Sequence, residues 1–212
     1  MTLYRELLIG CGYRRDRLLD PYLYRAAGTW CPAVPPERWQ YVTRIDINPA
    51  CEPDYVMDLE KGLKTLQRPG PNDYDLFRSI GDVYWQLKDN SFDEVHAYEV
   101  LEHLGQQGNA TEFFGHFDDL WKVLKPGGWL CATVPSRYSV WLWGDPGHRR
   151  AILPAALQFL NRPNYAGLGR SPMSDYRSLF VSDWDVIHSH DNEETHSFIL
   201  QAVKPARGDV AP

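Results

Sequence analysis

The feature that most constrains the fold of this chain is a glycine turn close to its N-terminus, followed by further turns in a fixed order. The apolar run Leu7–Gly12 (LLIGCG) contains two glycines, and a second run, Val42–Pro49 (VTRIDINP), contains Asp46. The later stretches FDEVHAYEVLEHL and LKPGGWLCATVP repeat the pattern of an apolar run and a turn. Short continuous apolar runs are typical of parallel strands that are buried on both faces. The order therefore predicts an α/β domain that binds a nucleoside at one edge of its sheet.

Strands are expected wherever such a run is too short for a helix. The two closing strands, with Asp191-Asn192 in the turn between them, predict an antiparallel edge. The fold class that follows is a Rossmann-like, mostly parallel seven-stranded sheet with helices on both faces and an antiparallel edge strand. The predicted strands are Leu7–Gly10, Tyr41–Ile45, Asp54–Met57, Asp93–Tyr98, Trp129–Val134, Tyr176–Val186 and Thr195–Val203.

The clearest helix is predicted at Asn109–Leu124, because its apolar residues recur at the spacing of one helical face and a Lys-Pro-Gly-Gly turn follows. Arg14–Ala27 has some helical spacing but is interrupted by a proline, so we expect a short helix followed by a loop. We expect another helix to begin at Glu99, directly after the fourth strand. Gly62–Asp82 is interpreted as a surface insertion with a helical piece around Leu76–Ile80.

Length and composition favour one intracellular domain. The 212 residues are enough for a single core, assigned to residues 1–204 with a flexible tail at 205–212. The formal charge of -6 makes nucleic acid a partner that is not favoured, because phosphate binding needs clustered Lys and Arg. The four cysteines form no CxxC pair, which indicates reduced thiols, and no metal is expected. The chain has neither a spanning apolar run nor a signal-peptide pattern, so we expect a cytoplasmic protein without a membrane.

Four residues have the pattern of a nucleoside site. Gly10 and Gly12 let the backbone turn sharply and approach a ligand at the end of the first strand. Asp46 ends the second strand, where a carboxylate accepts hydrogen bonds from a ribose diol. Asp58, after the third strand, is positioned to accept from an adenine amino group. Each residue alone is explained as readily by a turn or a helix cap, and the ordered set is what favours a ligand.

These motifs resemble those of class I S-adenosylmethionine-dependent methyltransferases. The resemblance covers Leu7–Ser136 through LLIGCG, RIDINP, VMDL, DNSFDEVHAYEVLEHL and LKPGGWLCATVPS, and the last two are characteristic of the branch that modifies small molecules. The stretches VPSRYSVWLWGDPGHRR and SPMSDYR extend the likeness to about Phe180 and resemble an uncharacterised group from phages and prophages.

The resemblance implies S-adenosylmethionine as cofactor and S-adenosylhomocysteine as product. The chain departs from the family in three ways: Arg14 replaces a frequent third glycine, the usual helices before the first strand are missing, and the stretch from Gly12 to Asp46 is long and rich in proline. Arg14 or Arg15 is placed near the cofactor carboxylate or in solvent. The residues that the resemblance assigns to the cofactor are Gly10, Cys11, Gly12, Asp46, Ile47, Asp58, Leu59 and Tyr98.

Methyl transfer requires a nucleophile in line with the methyl group and removal of its proton when it has one. Glu99, His103 and His148 are the catalytic candidates, although His103 is explained equally well as a helix residue packed under the sheet. The segment 136–175 is interpreted as a lid that recognises the substrate, because its aromatic rings and arginines suit a planar or anionic acceptor. The residues assigned to the substrate are Tyr138, Trp143, Asp145 and Arg149.

Three functions follow. The first is an enzyme that methylates an oxygen or nitrogen atom of a small molecule or modified nucleotide. The second is a DNA methyltransferase of phage origin acting in the host cytoplasm, which Ala97-Tyr98-Glu99 disfavours because the amino-methylating signature of Asp or Asn with two prolines is missing there. The third is a cofactor-binding or assembly module without catalysis, with exposed aromatic residues as its interface. A homodimer is left open.

Overall fold

The computed structural model describes residues 4–14, 16–19 and 42–208. Seven of its strands form one sheet in the order β3-β2-β1-β7-β8-β10-β9, and the other three form a small sheet in the order β4-β6-β5. The strands are β1 (Glu6–Ile9), β2 (Val42–Asp46), β3 (Tyr55–Val56), β4 (Lys64–Thr65), β5 (Phe77–Ile80), β6 (Tyr84–Leu87), β7 (Phe92–Tyr98), β8 (Leu124–Pro135), β9 (Trp184–Asp191) and β10 (Thr195–Ala202).

The large sheet is mostly parallel, which confirms the predicted fold class. β1 pairs in parallel with both β2 and β7, and β7 pairs in parallel with β8. The antiparallel pairing lies at one edge, where β10 runs antiparallel to both β8 and the outermost strand β9. β10 is buried on both faces through Phe198, Ile199 and Leu200, whereas β9 is only half-buried.

The register brings the ends of the parallel strands together. Ile9 at the end of β1 lies opposite Ile45 in β2 and Ala97 in β7. Tyr98 lies opposite Thr133 in β8. The residues that follow these strands therefore share one edge of the sheet, where ligands of open α/β folds bind.

The predicted helix at residues 109–124 is confirmed as α1 (Ala110–Val123). The Asn109 side chain caps it by accepting a hydrogen bond from the Glu112 N–H at 3.1 Å. Its apolar face packs on one face of the sheet, in the same core as Leu7, Ile9 and Val95. The opposite face carries a smaller core to which the described chain adds Leu18 and Leu19.

Three predictions about local structure differ from the observed chain. The prediction of a helical piece around Leu76–Ile80 is wrong, because Phe77–Ile80 pairs antiparallel with β6 in the small sheet. The helix expected from Glu99 is a single 3-10 turn over Leu101–His103. The strand expected from Tyr176 starts only at Trp184, since the preceding residues form a 3-10 turn and irregular chain.

Two further expectations lie near the limits of the described residues. Most of the helix expected at Arg14–Ala27 falls outside them, and residues 16–19 have no helical hydrogen bonding. In the expected tail, Arg207 is anchored: its guanidinium donates to Asp183 Oδ2 at 2.7 Å and Oδ1 at 2.8 Å.

Two further short helices follow β8 in the chain. They are α2 (Trp141–Gly144) and α3 (Pro154–Leu157).

Candidate active site

The glycine turn after β1 uses its two glycines for different reasons. Both have left-handed backbones, with φ of +57° at Gly10 and +49° at Gly12. A Cβ atom at Gly10 would lie 2.3 Å from Val100 Cγ2, so this glycine lets Val100 pack against the turn. A Cβ atom at Gly12 would meet no described atom within 4 Å. The space above Gly12 fits a ligand that approaches the backbone closely.

Asp46 fastens the glycine turn to the end of β2. Its Oδ2 accepts a hydrogen bond from the Gly12 N–H at 2.8 Å, and its Oδ1 accepts one from the Asn48 N–H at 2.8 Å. The side chain is largely buried. Each carboxylate oxygen can accept a further hydrogen bond, so Asp46 fits the expected role towards a ribose diol.

The predicted adenine side of the site borders a cavity of about 640 Å³. Ile47 is 64% exposed beside it. Asp58 lines the same cavity, pairs with Lys61 Nζ at 2.9 Å and caps the short turn that begins at the half-buried Leu59. Leu66 in the predicted insertion and Tyr84 just after it supply another wall. Sequence reasoning missed this wall because the insertion was interpreted only as a surface feature.

Cys11 and Tyr98 do not present their side chains to this edge. Both are buried in the smaller core on the second face of the sheet. The Tyr98 hydroxyl lies 2.8 Å from His96 Nδ1 and accepts from the Leu18 and Leu19 N–H groups at 3.2 Å. Strand alternation places Tyr98 on the same face as His96, which explains why its phenol is turned away from the expected position between cofactor and acceptor.

A second cavity of about 810 Å³ lies at the ends of β7 and β8 and at the turn between β9 and β10. It brings together most of the predicted catalytic and substrate residues. Its lining consists of Glu99, Glu102, His103, Pro135, Tyr138, Ser139, Val140, Trp141, Asp145, His148, Glu193, Glu194 and Thr195.

Two predicted substrate residues lie outside this lining. Arg149 donates to Glu60 Oε1 at 2.9 Å and so ties its segment to the turn after β3. Trp143 is 60% exposed, and the tryptophan that lines the cavity is Trp141. Helical spacing within α2 separates these two tryptophans, and the sequence offered no signal to choose between them.

Glu99 lines the cavity and has an unusual backbone conformation. Its φ is +53°, a conformation that costs a non-glycine residue free energy. The Glu99 N–H donates to Thr133 O at 2.9 Å, which holds the chain at the point where β7 ends. The left-handed turn interrupts the strand and exposes the Glu99 side chain at the cavity.

Glu102 is the functional candidate that sequence reasoning missed. Its side chain is fully buried, and neither carboxylate oxygen has a hydrogen-bond partner among the described residues. Burial raises the pKa of Glu102 to about 8, and the neighbouring Glu99 carboxylate raises it further in the same direction. The available signal was its spacing: Glu102 follows Glu99 by three residues and directly precedes His103.

His103 and His148 stand together beside Glu102, with ring centroids 4.7 Å apart at an angle of 75°. His103 Nδ1 lies 3.0 Å from Gly147 O, and His148 Nδ1 lies 3.2 Å from Leu142 O. A carbonyl oxygen only accepts hydrogen bonds, so Nδ1 is the protonated nitrogen in both rings. In the neutral form, each ring therefore keeps the lone pair on Nε2.

A protein-family model described as a methyltransferase domain matches residues 37–132, somewhat less than half of the chain. No curated protein matches the chain. A solved S-adenosylmethionine-dependent methyltransferase from Archaeoglobus fulgidus is similar in fold at 13% identity and a TM-score of 0.48, covering 94% of this chain and 86% of that one.

Two other solved structures are similar at the same level. The N-methyltransferase NodS from Bradyrhizobium japonicum, in complex with S-adenosylhomocysteine, is 15% identical with a TM-score of 0.43, over 94% of this chain and 78% of that one. An S-adenosylmethionine-dependent methyltransferase from Mesorhizobium loti is 12% identical with a TM-score of 0.45, over 93% and 90%. Likeness at this level carries no information about the substrate.

The family match makes residues 37–132 similar to a methyltransferase domain, and the order of the large sheet agrees with the predicted Rossmann-like methyltransferase fold. S-adenosylmethionine is the cofactor that this domain indicates. The absence of any described atom within 4 Å above Gly12 and the accepting capacity of Asp46 fit that cofactor. In the described part of the chain, no helix is long and apolar enough to cross a membrane.

Proposed function

We propose that this chain, as one domain over residues 1–204, transfers a methyl group from S-adenosylmethionine to an oxygen or nitrogen atom of a small molecule or modified nucleotide. The observation that carries the proposal is the position of the 810 Å³ cavity at the end of β7, next to the glycine turn. Val100 packs on Gly10, and the preceding residue, Glu99, lines the cavity. The donor edge and the acceptor cavity thus adjoin.

The residues that would hold the cofactor are distributed over the ends of three neighbouring strands. Gly12 would pass under its methionine part, Asp46 would accept from the ribose hydroxyls, and Ile47 with Asp58 would flank the adenine. The bound sulfonium supplies the methyl carbon: the acceptor's lone pair forms the new bond, the carbon–sulfur bond breaks with its electron pair left on sulfur, and any acceptor proton goes to a base or to water.

The residues of the acceptor cavity have complementary roles in this proposal. Glu99, His103 and His148 face the reacting atom, while Tyr138 and Trp141 offer aromatic faces to a planar acceptor. Asp145 adds negative charge at the rim. The cavity excludes part of the bulk water and orients the acceptor, which is what methyl transfer requires most from a protein.

Calorimetric titration with S-adenosylmethionine and S-adenosylhomocysteine tests the cofactor site. Asp46→Ala removes the acceptor for two backbone N–H groups and for the ribose, so we expect at least a tenfold loss of affinity. Asp54→Ala is the matched control, since Asp54 is exposed and pairs with Arg44 at 3.1 Å just before β3. Equal affinity of the wild type and Asp46→Ala would refute this assignment.

The acceptor class is tested with cofactor carrying a labelled methyl group. Small hydroxylated and aminated compounds, nucleotides and duplex DNA are offered in parallel. We expect label in the small molecules or nucleotides. Label in DNA would instead support the alternative of a phage-type DNA methyltransferase, and cofactor binding without label in any pool would support a binding module. Size-exclusion chromatography with light scattering determines whether two copies associate.

A further inference from the structure

We propose that Glu102, His103 and His148 bind a divalent transition-metal cation at the wall of the acceptor cavity. One ligand atom from each of the three residues lies within 4.8 Å of the others. The three side chains come from the 3-10 turn after β7 and from the loop after α2, so the fold brings them together across 45 residues of sequence. This assignment departs from the sequence-based expectation of no metal.

The hydrogen bonds of the two imidazoles prepare them as ligands. The Nδ1–H of His103 donates a hydrogen bond to Gly147 O at 3.0 Å, and the Nδ1–H of His148 donates one to Leu142 O at 3.2 Å. The lone pair of each neutral ring is therefore on Nε2, the nitrogen left free for a metal. Fixing the tautomer through the other ring nitrogen is the usual arrangement around metal-bound histidines.

Glu102 gives the independent reason to expect a cation. Its carboxyl group is fully buried, and neither of its oxygens has a partner among the described residues, which is an unfavourable state for a buried polar group. Glu102 Oε1 lies 3.9 Å from His148 Nε2. Atoms that each bind one ion at about 2.1 Å can be up to about 4.2 Å apart, so both atoms reach a single cation.

A second cluster of potential ligands shows what distinguishes this site. One potential ligand atom from each of Glu94, His96 and Cys131 also lies within 4.8 Å of the others, in the smaller core. There, Arg17 already forms an ion pair with Glu94, so a protein cation compensates the buried carboxylate. At Glu102, no described Lys or Arg forms such a pair.

The donor set indicates the class of metal and of acceptor. Two imidazoles and one carboxylate suit Zn²⁺, Fe²⁺, Co²⁺ or Mn²⁺ better than Ca²⁺, and they leave coordination positions open. Those positions face a cavity that Glu99 and Asp145 also line. This step rests on the proposed function. The acceptor binds the cation through a hydroxyl oxygen, and the cation lowers the pKa of that hydroxyl group so that its proton is lost more easily. The reaction is then an O-methylation.

The test uses Co²⁺ alone, added to metal-free full-length protein without a polyhistidine tag. Visible absorption of bound Co²⁺ reports its ligands directly, and we expect one ion per chain. Glu102→Gln and His148→Gln each weaken binding at least tenfold. His190→Ala is the matched control, because His190 is exposed on β9 and does not line the cavity, and we expect it to leave the Co²⁺ affinity unchanged.

Thermal melting separates lost ligands from lost folding. Glu102→Gln preserves shape and exchanges an unpartnered buried carboxyl group for a neutral amide of the same size, so we expect it to melt no earlier than the wild type. Absence of the Co²⁺ spectrum in the wild type, or equal Co²⁺ affinity in the wild type and both folded variants, would overturn the proposal.

Calorimetry with S-adenosylmethionine on the metal-free protein keeps the two proposals apart. Cofactor binding without Co²⁺ binding leaves the proposed function standing and removes the metal. Co²⁺ binding without cofactor binding supports the metal site and contradicts the proposed function. If both bind, a chelator should abolish labelling of hydroxylated acceptors while leaving cofactor affinity unchanged, and unchanged labelling would refute the metal's role in the reaction.

Discussion

Gly10 is constrained by its neighbour Val100, whereas at Gly12 the backbone angle is the constraint that the described residues show. Val100 fills the space where a side chain at Gly10 would begin, and the space above Gly12 holds no described atom within 4 Å. The two glycines of one motif therefore make different contributions: the first stabilises the fold, and the second keeps the ligand edge clear.

Gly10→Ala should lower the free energy of unfolding by about 2–5 kcal/mol, because a left-handed alanine and an overpacked Val100 both cost free energy. Gly12→Ala should lower it by only about 1–2 kcal/mol, the backbone contribution alone. Urea denaturation measures both values. Val100→Ala in the Gly10→Ala background should recover part of the loss, and equal effects of the two single alanine substitutions would contradict this account.

At this scale, the sequence predicted the residues whose role follows from a position in a motif. Asp46 and Asp58 lie at the strand ends where they were expected, because parallel strands end at one edge whatever their side chains. Glu102 was missed because its importance depends on burial, which spacing within EVLEH does not reveal. Tyr98 was misplaced because strand alternation, rather than proximity to the edge, decides where its ring points.

At the scale of elements, α1 is joined to the chain before β9 through Asp118. Its buried carboxylate accepts from the Ser182 N–H at 2.8 Å and the Val181 N–H at 3.1 Å. These hydrogen bonds, together with the stacked rings of Phe114 and Phe180, hold the irregular chain against the helix.

Asp118→Ala would leave two N–H groups without their acceptor, so we expect it to lower the free energy of unfolding by about 2–4 kcal/mol. Asp119→Ala is the matched control on the next residue of the helix, where an exposed carboxylate pairs with Lys122, and its effect should stay within about 0.5 kcal/mol. Chemical denaturation measures both. Similar effects of the two variants would show that Asp118 does not carry this contact.

Elements with a long pattern or a place in a motif were predictable, and the others were not. α1, β7 and β8 have seven or more residues, whereas the shorter strands β1, β2 and β3 were predicted because a glycine or acidic turn follows each of them. β4, β5 and β6 have two to four residues each, and only their pairing with one another makes them strands. Their sheet also forms a wall of the cavity beside Ile47. Because these short strands have no recognisable pattern, the sequence predicted neither the small sheet nor this wall.

At the scale of the whole molecule, the two fully buried glutamates among the described residues, Glu94 and Glu102, have different surroundings. Glu94 lies in the smaller core, where it contacts Arg17 and Tyr4 and has His96 Nε2 at 3.0 Å. Burial acts to raise the pKa of Glu94, but the hydrogen bond from His96 and the charges of His96 and Arg17 outweigh it and lower the pKa below its usual value.

This lowered pKa predicts how stability depends on pH. Because the folded pKa lies below the unfolded one, the stabilisation is complete above about pH 4.5 and is lost as the pH falls through the folded pKa. The difference in free energy of unfolding between the wild type and Glu94→Gln should therefore shrink below pH 4.5, by at most about 1.4 kcal/mol per pH unit.

Denaturation curves recorded from pH 7 to pH 2 measure this difference. Asp82→Asn is the control, since Asp82 is exposed between β5 and β6 and should follow the wild type throughout. A difference between the wild type and Glu94→Gln that stays constant with pH would show that Glu94 carries no such linkage.

The position of β10 has a consequence for synthesis on the ribosome. The strand nearest the C-terminus among those described is inserted between β8 and β9, and its first residue, Thr195, lines the acceptor cavity. A growing chain that has exposed only residues up to β8 already contains Gly10, Asp46 and Glu102, yet the wall that closes the cavity has not left the exit tunnel. The residues placed at the cofactor edge therefore emerge from the ribosome before the residues that complete the acceptor cavity.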